Sequence, residues 1–300
     1  HKYRNHLDLI PDDYDICVCT DLDEVFEKGW RKYLEDSWVG STSRARYNYN
    51  WSLDDNNRPL VNFYTDKIHQ RKNYKWTHPV HEVLTFLGDK ENIITIDNIV
   101  LNHYSDKSKS RGSYLPLLEL SVKEDPNDDR NMHYLGREYM YYGKWNECID
   151  TLIKHLNLKS STWKDERCAS MRFIARSYKN LGRVEESRMW YDKAINEAPY
   201  LRDSYVERGI LEYELDNYKE ASKYLNDALN INSHEKTYIN EIFSWDNTIY
   251  DMLSICMFYL NRIDESLFYI DKAIDMEPNN ERLINNKKII KRYKENNNSI

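Results

Sequence analysis

The sequence predicts two kinds of structure in one chain: a mixed α/β part over residues 1–110, followed by an all-α part of stacked helical hairpins over residues 111–300. Two observations predict it. Near residue 110 short β-prone runs between turn signals give way to apolar positions at helical spacing, and the helical part then repeats itself. A third observation asks for chemistry, since CVCTDLDEVF (residues 17–26) sets Asp21, Asp23 and Glu24 directly behind an apolar run.

In chain order, DICVCT (15–20), SRARYNYNW (43–51), TDKIHQR (65–71), ENIITI (91–96) and NIVLNHY (98–104) read as strands. DDNNRP (54–59) and LGDK (87–90) between them carry the Asp, Asn, Gly and Pro of turns. From SYLPLLELSVKE (113–124) onward strand signals stop. Four helical segments then align, beginning GKWNECIDTLIKHL at 143, GRVEESRMWYDKAINEAP at 182, DNYKEASKYLNDALNIN at 216 and NRIDESLFYIDKAIDMEP at 261, in steps of 39, 34 and 45 residues. The longer steps imply insertions around KSSTWKDE and HEKTYINEIFSWDN. Ser187, Ala221 and Ser266 let paired helices approach, Tyr191, Leu225 and Ile270 fill the groove, and Ala194, Ala228 and Ala273 sit at close contacts. Pro199 and Pro278 end their helices. Over roughly residues 130 to 285 the pattern resembles tetratricopeptide repeats, each hiding its apolar face by stacking on the next. The tail KKIIKRYKENNNSI reads as a closing helix.

Composition limits the function. With 40% hydrophobic residues the chain has ample material for cores, and a net charge of −7 argues against nucleic acid as the main partner. No run reaches the roughly 18 to 20 apolar residues of a membrane span, and HKYRNHLDLIPDD has no apolar signal core, so the cytoplasm is the expected compartment. Five scattered cysteines make no disulfide scaffold. Cys17 and Cys19 read as buried thiols in preference to a metal pair.

Two readings compete for the acidic cluster. In an extended Asp-Leu-Asp segment Asp21 and Asp23 share a face while Leu22 points into the core, and two such carboxylates at the end of a buried strand suit Mg²⁺ or Mn²⁺, which takes up the charge of a diphosphate. In the other, the acids only cap a helix starting near Glu24. The combination of DYDICVCTDLDEVFEKGW, YKWTHPVHEVL and VLNHYSDKSKSRGSYLPLLELSVKE resembles the later part of a family 2 glycosyltransferase of the GT-A fold. The resemblance implies inverting transfer of a sugar from a nucleotide-diphosphate donor to a protein or glycan acceptor, with Mn²⁺ or Mg²⁺. It matches Asp21 and Asp23 to the metal-binding Asp-x-Asp, His81 and Glu82 to the family's Val-His-Glu segment, and His103 to the His-Tyr that closes the catalytic domain. It also implies that the nucleoside-holding half should precede Asp21, so robust catalysis is not expected of these residues alone.

Residue by residue, alternatives stay open. Glu82 is either the base that deprotonates the acceptor or a loop-holding partner of His81 or an arginine, and His81 either positions acceptor or phosphate or is structural. His103 is either a third metal ligand or a hydrogen-bonding strut. His78, before Pro79, shapes the loop. HPVHE is not a zinc-protease signature, because Thr85 stands where the second histidine would fall. Of Tyr47, Tyr49, Trp51, Tyr74 and Trp76, only Trp51 and Trp76 are expected to stack on a ligand, while Arg71 and Lys72 either neutralise a diphosphate or, more commonly for such residues, mark a solvated strand edge. The main rival to the transferase is an interaction scaffold: a degenerate α/β remnant with a repeat domain whose concave face binds a protein or peptide. A metal-dependent phosphohydrolase or nuclease is weaker, since only Asp97 offers a further acid from a later strand.

Overall fold

The computed structural model describes residues 9–54, 56–77, 82–104, 114–235 and 237–297. They fall into two compact units, His1–Pro126 with Glu235–Tyr238, and Asn127–His234 with Ile239–Ile300. Among the described residues no helix is long and apolar enough to cross a membrane.

The first unit holds β1 (Ile16–Val18), β2 (Glu24–Phe26), α1 (Trp30–Ser37), β3 (Arg44–Leu53), β4 (Pro59–Gln70), β5 (Tyr74–Thr77), β6 (Val83–Phe86), β7 (Ile93–His103) and α2 (Tyr114–Glu124). Five strands form a mixed sheet in the order β1-β4-β3-β7-β2, and β5 and β6 form a separate hairpin. β3 runs antiparallel to β4 and parallel to β7. Its alternation explains its place: Ala45, Tyr47 and Tyr49 turn inward and Arg46 turns out, so one face packs with Ile68, Ile99, Leu101 and Leu34 of α1. ENIITI and NIVLNHY, expected as two strands, are the single strand β7. Its register slips between the pairs Tyr47/Ile96 and Asn48/Val100, so Asp97–Ile99 bulge out without ending it.

Three expectations for the acidic stretch need correction. β1 is an edge strand of three residues, paired among the described strands with β4 alone, and instead of a buried strand only its Cys17 is buried. After Val18 the chain turns and re-enters at the opposite edge as β2, so Glu24 begins a strand and the next helix starts only at Trp30. Leu22 sits in that turn fully exposed, at 106%, because the backbone there is not extended and the alternation that would have buried it does not apply.

The second unit contains α3 (Asp129–Tyr141), α4 (Trp145–Asn157), α5 (Lys164–Asn180), α6 (Val184–Glu197), α7 (Arg202–Glu214), α8 (Tyr218–Leu229), α9 (Thr248–Tyr259), α10 (Ile263–Met276) and α11 (Glu281–Asn297). Helices pair as α3/α4, α5/α6, α7/α8 and α9/α10, with α11 against α10. Each pair turns through a residue in the left-handed region: Gly143, Gly182, Asp216 and Asn261. The expected seams are present. Ser187, Ala221 and Ser266 are fully buried, as are Leu225, Ile270, Ala194, Ala228 and Ala273, and Tyr191 is nearly so. The facing helix answers with small residues: Gly136, Ala175, Gly209 and Ser254 recur at one offset before the turn. Pro199 and Pro278 stand two residues beyond the ends of α6 and α10. The first helices of the pairs also touch one another, α3 to α5 to α7 to α9, forming one continuous layer.

Candidate functional site

The crossing from β1 to β2 gathers the acidic stretch at one end of the sheet. Glu24 is its hub. Its carboxylate accepts hydrogen bonds from Lys67 Nζ at 2.8 Å, the Tyr49 hydroxyl at 2.8 Å and the Asp21 amide at 2.8 Å. Lys67 also reaches Asp21 Oδ2 at 3.3 Å. Burial, and then the Glu24 charge, push the Tyr49 hydroxyl well above its ordinary pKa, so it stays protonated and donates. Asp23 is placed differently: its Oδ2 lies 3.7 Å from His103 Nε2, and its carbonyl accepts from the Tyr104 amide at 2.8 Å. His103 Nδ1 lies 2.9 Å from the Trp51 carbonyl, which can only accept, so Nδ1 carries a proton and the ring turns Nε2 toward Asp23.

A shared divalent ion can be tested against this geometry. Among the described residues, the donor atoms of Asp21, Asp23 and His103 do not gather within 4.8 Å of one another. Lys67 already pairs with both Asp21 and Glu24. Asp23 and His103 are close enough to face one ion, and the backbone-anchored Nδ1 is the arrangement that orients a ligating imidazole. Two of the three expected ligands therefore fit and Asp21 does not.

The other expected residues scatter. His81 and His78 lie outside the described residues. Glu82 stands immediately before β6, in the connection that closes the β5–β6 hairpin, half-buried. Trp76, expected to stack on a ligand, is only 2% exposed and is instead the centre of that hairpin's core with Tyr74 and Leu84, because it lies on the inward register of β5. Trp51 is exposed, its ring 6.5 Å from that of His103. Arg71, expected on a diphosphate, donates to the Ile10 carbonyl at 3.0 Å and pairs with Asp12, tying the entering chain to the end of β4. Cys17 is buried, and desolvation raises its thiol pKa. Glu24 and Lys67 carry the cluster; the sequence singled out Glu24 as one of three neighbouring acids, but nothing in it marked Lys67 as their partner.

The second unit has two polar centres that sequence reasoning did not single out. At the offset where later repeats carry Ala194, Ala228 and Ala273, the first carries His155, and room for its ring is made by a polar network. Ser170 Oγ lies 2.7 Å from His133 Nδ1 and 3.0 Å from His155 Nδ1. His155 Nε2 lies 3.0 Å from Ser161 Oγ and 3.4 Å from Glu166. One donor atom from each of His133, His155 and Glu166 falls within 4.8 Å of the others, the donor set of a divalent-ion site, and His133 Nε2 has no hydrogen-bond partner. Burial pushes the His133 imidazole down to about 3, so it is neutral.

The other centre lies on the layer of first helices. Arg172 and Arg176 sit one turn apart on α5, and Asp203 and Glu207 one turn apart on α7, so two cations face two anions across neighbouring repeats. Glu207 takes Arg172 at 2.6 Å and Arg176 at 2.7 Å through both its oxygens. Burial raises the Glu207 pKa, but Arg176 and Arg172 outweigh it and hold the carboxyl below its ordinary value. The remaining donors and acceptors hold a stretch of the chain itself, Ile239–Trp245, which passes from a turn through Asn240 and Glu241 into a single 3-10 turn at Ile242–Ser244. The Arg172 guanidinium donates to the Ile239 carbonyl at 2.7 Å, Arg176 pairs with Glu241, and Asp203 accepts from the Glu241 amide at 2.6 Å and from Asn240 at 3.3 Å. Arg202 donates to the Ser244 carbonyl at 3.3 Å and lies 3.9 Å over the Trp245 ring.

A family model described as tetratricopeptide repeat matches residues 173–200 and 203–235, which span α5 to α8. Over those residues the chain carries tetratricopeptide repeats. Solved structures are also similar: MamA at 16% identity and TM-score 0.45, over 58% of this chain and 96% of that one, and YrrB, described as a TPR protein with an unusual peptide-binding site, at 17% and 0.47, over 60% and 84%. A thermophilic TPR protein of Thermus thermophilus aligns at 19% and 0.40, over 60% and 89%. No curated protein matches the chain. The family model supports the repeats, and the comparisons lend no support to the glycosyltransferase resemblance.

Proposed function

We propose that the chain is an interaction module whose tetratricopeptide repeats hold an extended peptide of a partner protein on the layer formed by α3, α5, α7 and α9. Repeat solenoids present long surfaces of this kind for binding. The observation that carries the reading is the Arg172–Arg176–Asp203 constellation on the inner layer, which already grips two main-chain groups and one carboxylate of another stretch of the chain, the Ile239 carbonyl, the Glu241 amide and the Glu241 side chain. A peptide library displayed on phage and selected on the full chain tests it. Binding of the selected peptides is expected to fall on Asp203→Ala and Arg176→Ala and to persist on Lys193→Glu, which lies on a second helix. Selected peptides indifferent to both inner-layer substitutions, or no selected peptides, would refute the reading.

A second reading, metal-assisted sugar transfer from a nucleotide-diphosphate donor, is favoured by one observation. Asp23 and His103, singled out by the motif and far apart in sequence, meet at 3.7 Å at one end of the sheet. With Asp21 turned to Lys67, no step is assigned to a metal here. Calorimetry with a nucleoside diphosphate, with and without Mn²⁺, separates the readings: Mn²⁺-dependent binding lost in Asp23→Asn supports the transferase, and heat independent of Mn²⁺ or of Asp23 removes it.

A further inference from the structure

The first seam between repeats is built unlike the others. Twelve residues beyond the left-handed turn residues Gly182, Asp216 and Asn261 stand Ala194, Ala228 and Ala273, whereas twelve beyond Gly143 stands His155. Ten residues before the same three turns stand Arg172, Val206 and Asp251, and ten before Gly143 stands His133. Only the first seam therefore sets an imidazole at both positions. An alanine closes a seam without burying a polar atom, so two fully buried imidazoles and the buried Glu166 carboxylate are a desolvation cost that helix packing does not require.

The arrangement is that of a ligand set. His133 is on α3, His155 on α4 and Glu166 on α5, three helices packed on one another. One nitrogen of each imidazole and one Glu166 oxygen lie within 4.8 Å of one another. Donors held at about 2.0–2.2 Å around a four-coordinate ion stand roughly 3.4 Å apart. His155 Nε2 and Glu166 already have that spacing, at 3.4 Å, and small side-chain rotations close the rest. One hydroxyl orients both rings: Ser170 Oγ lies 2.7 Å from His133 Nδ1 and 3.0 Å from His155 Nδ1, and its two lone pairs can accept from both. A ligating imidazole is held in this way, through the nitrogen that does not bind the ion. The opposite nitrogen of His133, Nε2, is enclosed without a hydrogen-bond partner, a penalty that a coordinated ion removes. Two nitrogens and a carboxylate oxygen suit Zn²⁺ or a neighbouring late transition ion, whereas Mg²⁺ and Ca²⁺ take oxygen donors.

We infer that His133, His155 and Glu166 form a zinc-type metal site that fastens the first hairpin, α3 with α4, to α5. Because its donors are enclosed, the ion is expected to enter as the chain folds. The site is independent of the interaction-module reading, and either can fail without the other.

The test uses the full chain, unfolded with a chelator and refolded with or without equimolar Zn²⁺. Wild type should hold one ion and melt at a higher temperature with it than without. X-ray absorption at the zinc edge should show two imidazoles, which separates this site from an ion at Asp23 and His103, where one is available. Competition with a chromophoric chelator should show that Glu166→Gln and His155→Gln each weaken binding by more than roughly 100-fold, the upper end of what losing an outer-shell partner costs. Asp23→Asn should leave affinity and spectrum unchanged. A refolded wild type that holds no zinc, a spectrum with one imidazole or none, or affinity unchanged in both Glu166→Gln and His155→Gln overturns the inference. Should either variant fail to refold, the wild-type spectrum decides.

Discussion

Glu24 in the sheet unit and Glu207 in the repeat unit are both buried carboxylates held by cations, yet they find their partners by different rules. The arginines on Glu207 stand 31 and 35 residues before it, about one repeat away, so helical period alone brings them together. The partners of Glu24 lie 25 and 43 residues away on β3 and β4, and they meet it only because the chain crosses from one sheet edge to the other. Burial differs as well. Arg172 is fully enclosed, whereas the Lys67 side chain keeps 21% of its exposure. A periodic fold thus places charges where periodicity can be read, and a sheet places them where strand order decides.

Substitution of the two cations tests that contrast most strongly. Arg172→Met leaves Glu207 and Asp203 with less compensation in a dry environment and should cost about 3–5 kcal/mol. Lys67→Met should cost less, about 1–3 kcal/mol, because Glu24 keeps the Tyr49 hydroxyl and the Asp21 amide. Denaturant unfolding of both variants measures the difference, and a larger loss for Lys67→Met would reverse the ranking. Within the repeats, a Cβ on Gly136 would lie 2.3 Å from Leu152 Cδ2, and one on Gly209 2.9 Å from Leu225 Cγ. Gly136→Ala is therefore expected to lose about 1–3 kcal/mol by overpacking and Gly209→Ala less; equal melting temperatures would show that the first seam yields as readily as the third.

The mildest probe is pH. Burial raises the Glu212 pKa, but hydrogen bonds from Arg188, Arg208 and Asn217 outweigh it and hold the carboxyl at about 2, below its ordinary 4.5. A folded pKa below the unfolded one stabilises the fold fully above about 4.5, and that contribution is lost as pH falls toward 2. Glu212→Gln should flatten the stability profile between those values; an unchanged acid limb would show that the carboxylate adds nothing there.

The helical half was readable because its signals are local and repeated. The small residues at 187, 221 and 266 and the groove fillers at 191, 225 and 270 recur at fixed offsets from each turn, and the structure buries them all. His155 escaped that reading because one histidine at an alanine offset breaks the pattern without saying what surrounds it. In the sheet unit, alternation located β3, but strand-by-strand reading could not show that ENIITI and NIVLNHY are one strand with a bulge, nor that Leu22 lies in a turn. Of the expected site, the tertiary structure brings Asp23 to His103 and draws Asp21 to Lys67, and register turns Trp76 inward.

By itself the sequence determined the change from strands to helices, the repeat seams and the positions of both insertions, because helical period and turn chemistry act over neighbouring residues, but not the boundary of the first compact unit, which takes in α2 and ends at Pro126. Only the tertiary structure decided which charges meet, that β1 and β2 are opposite edges of one sheet, and that the second insertion lies on α5 and α7. Those outcomes depend on contacts between residues tens of positions apart, and no local pattern encodes the partner.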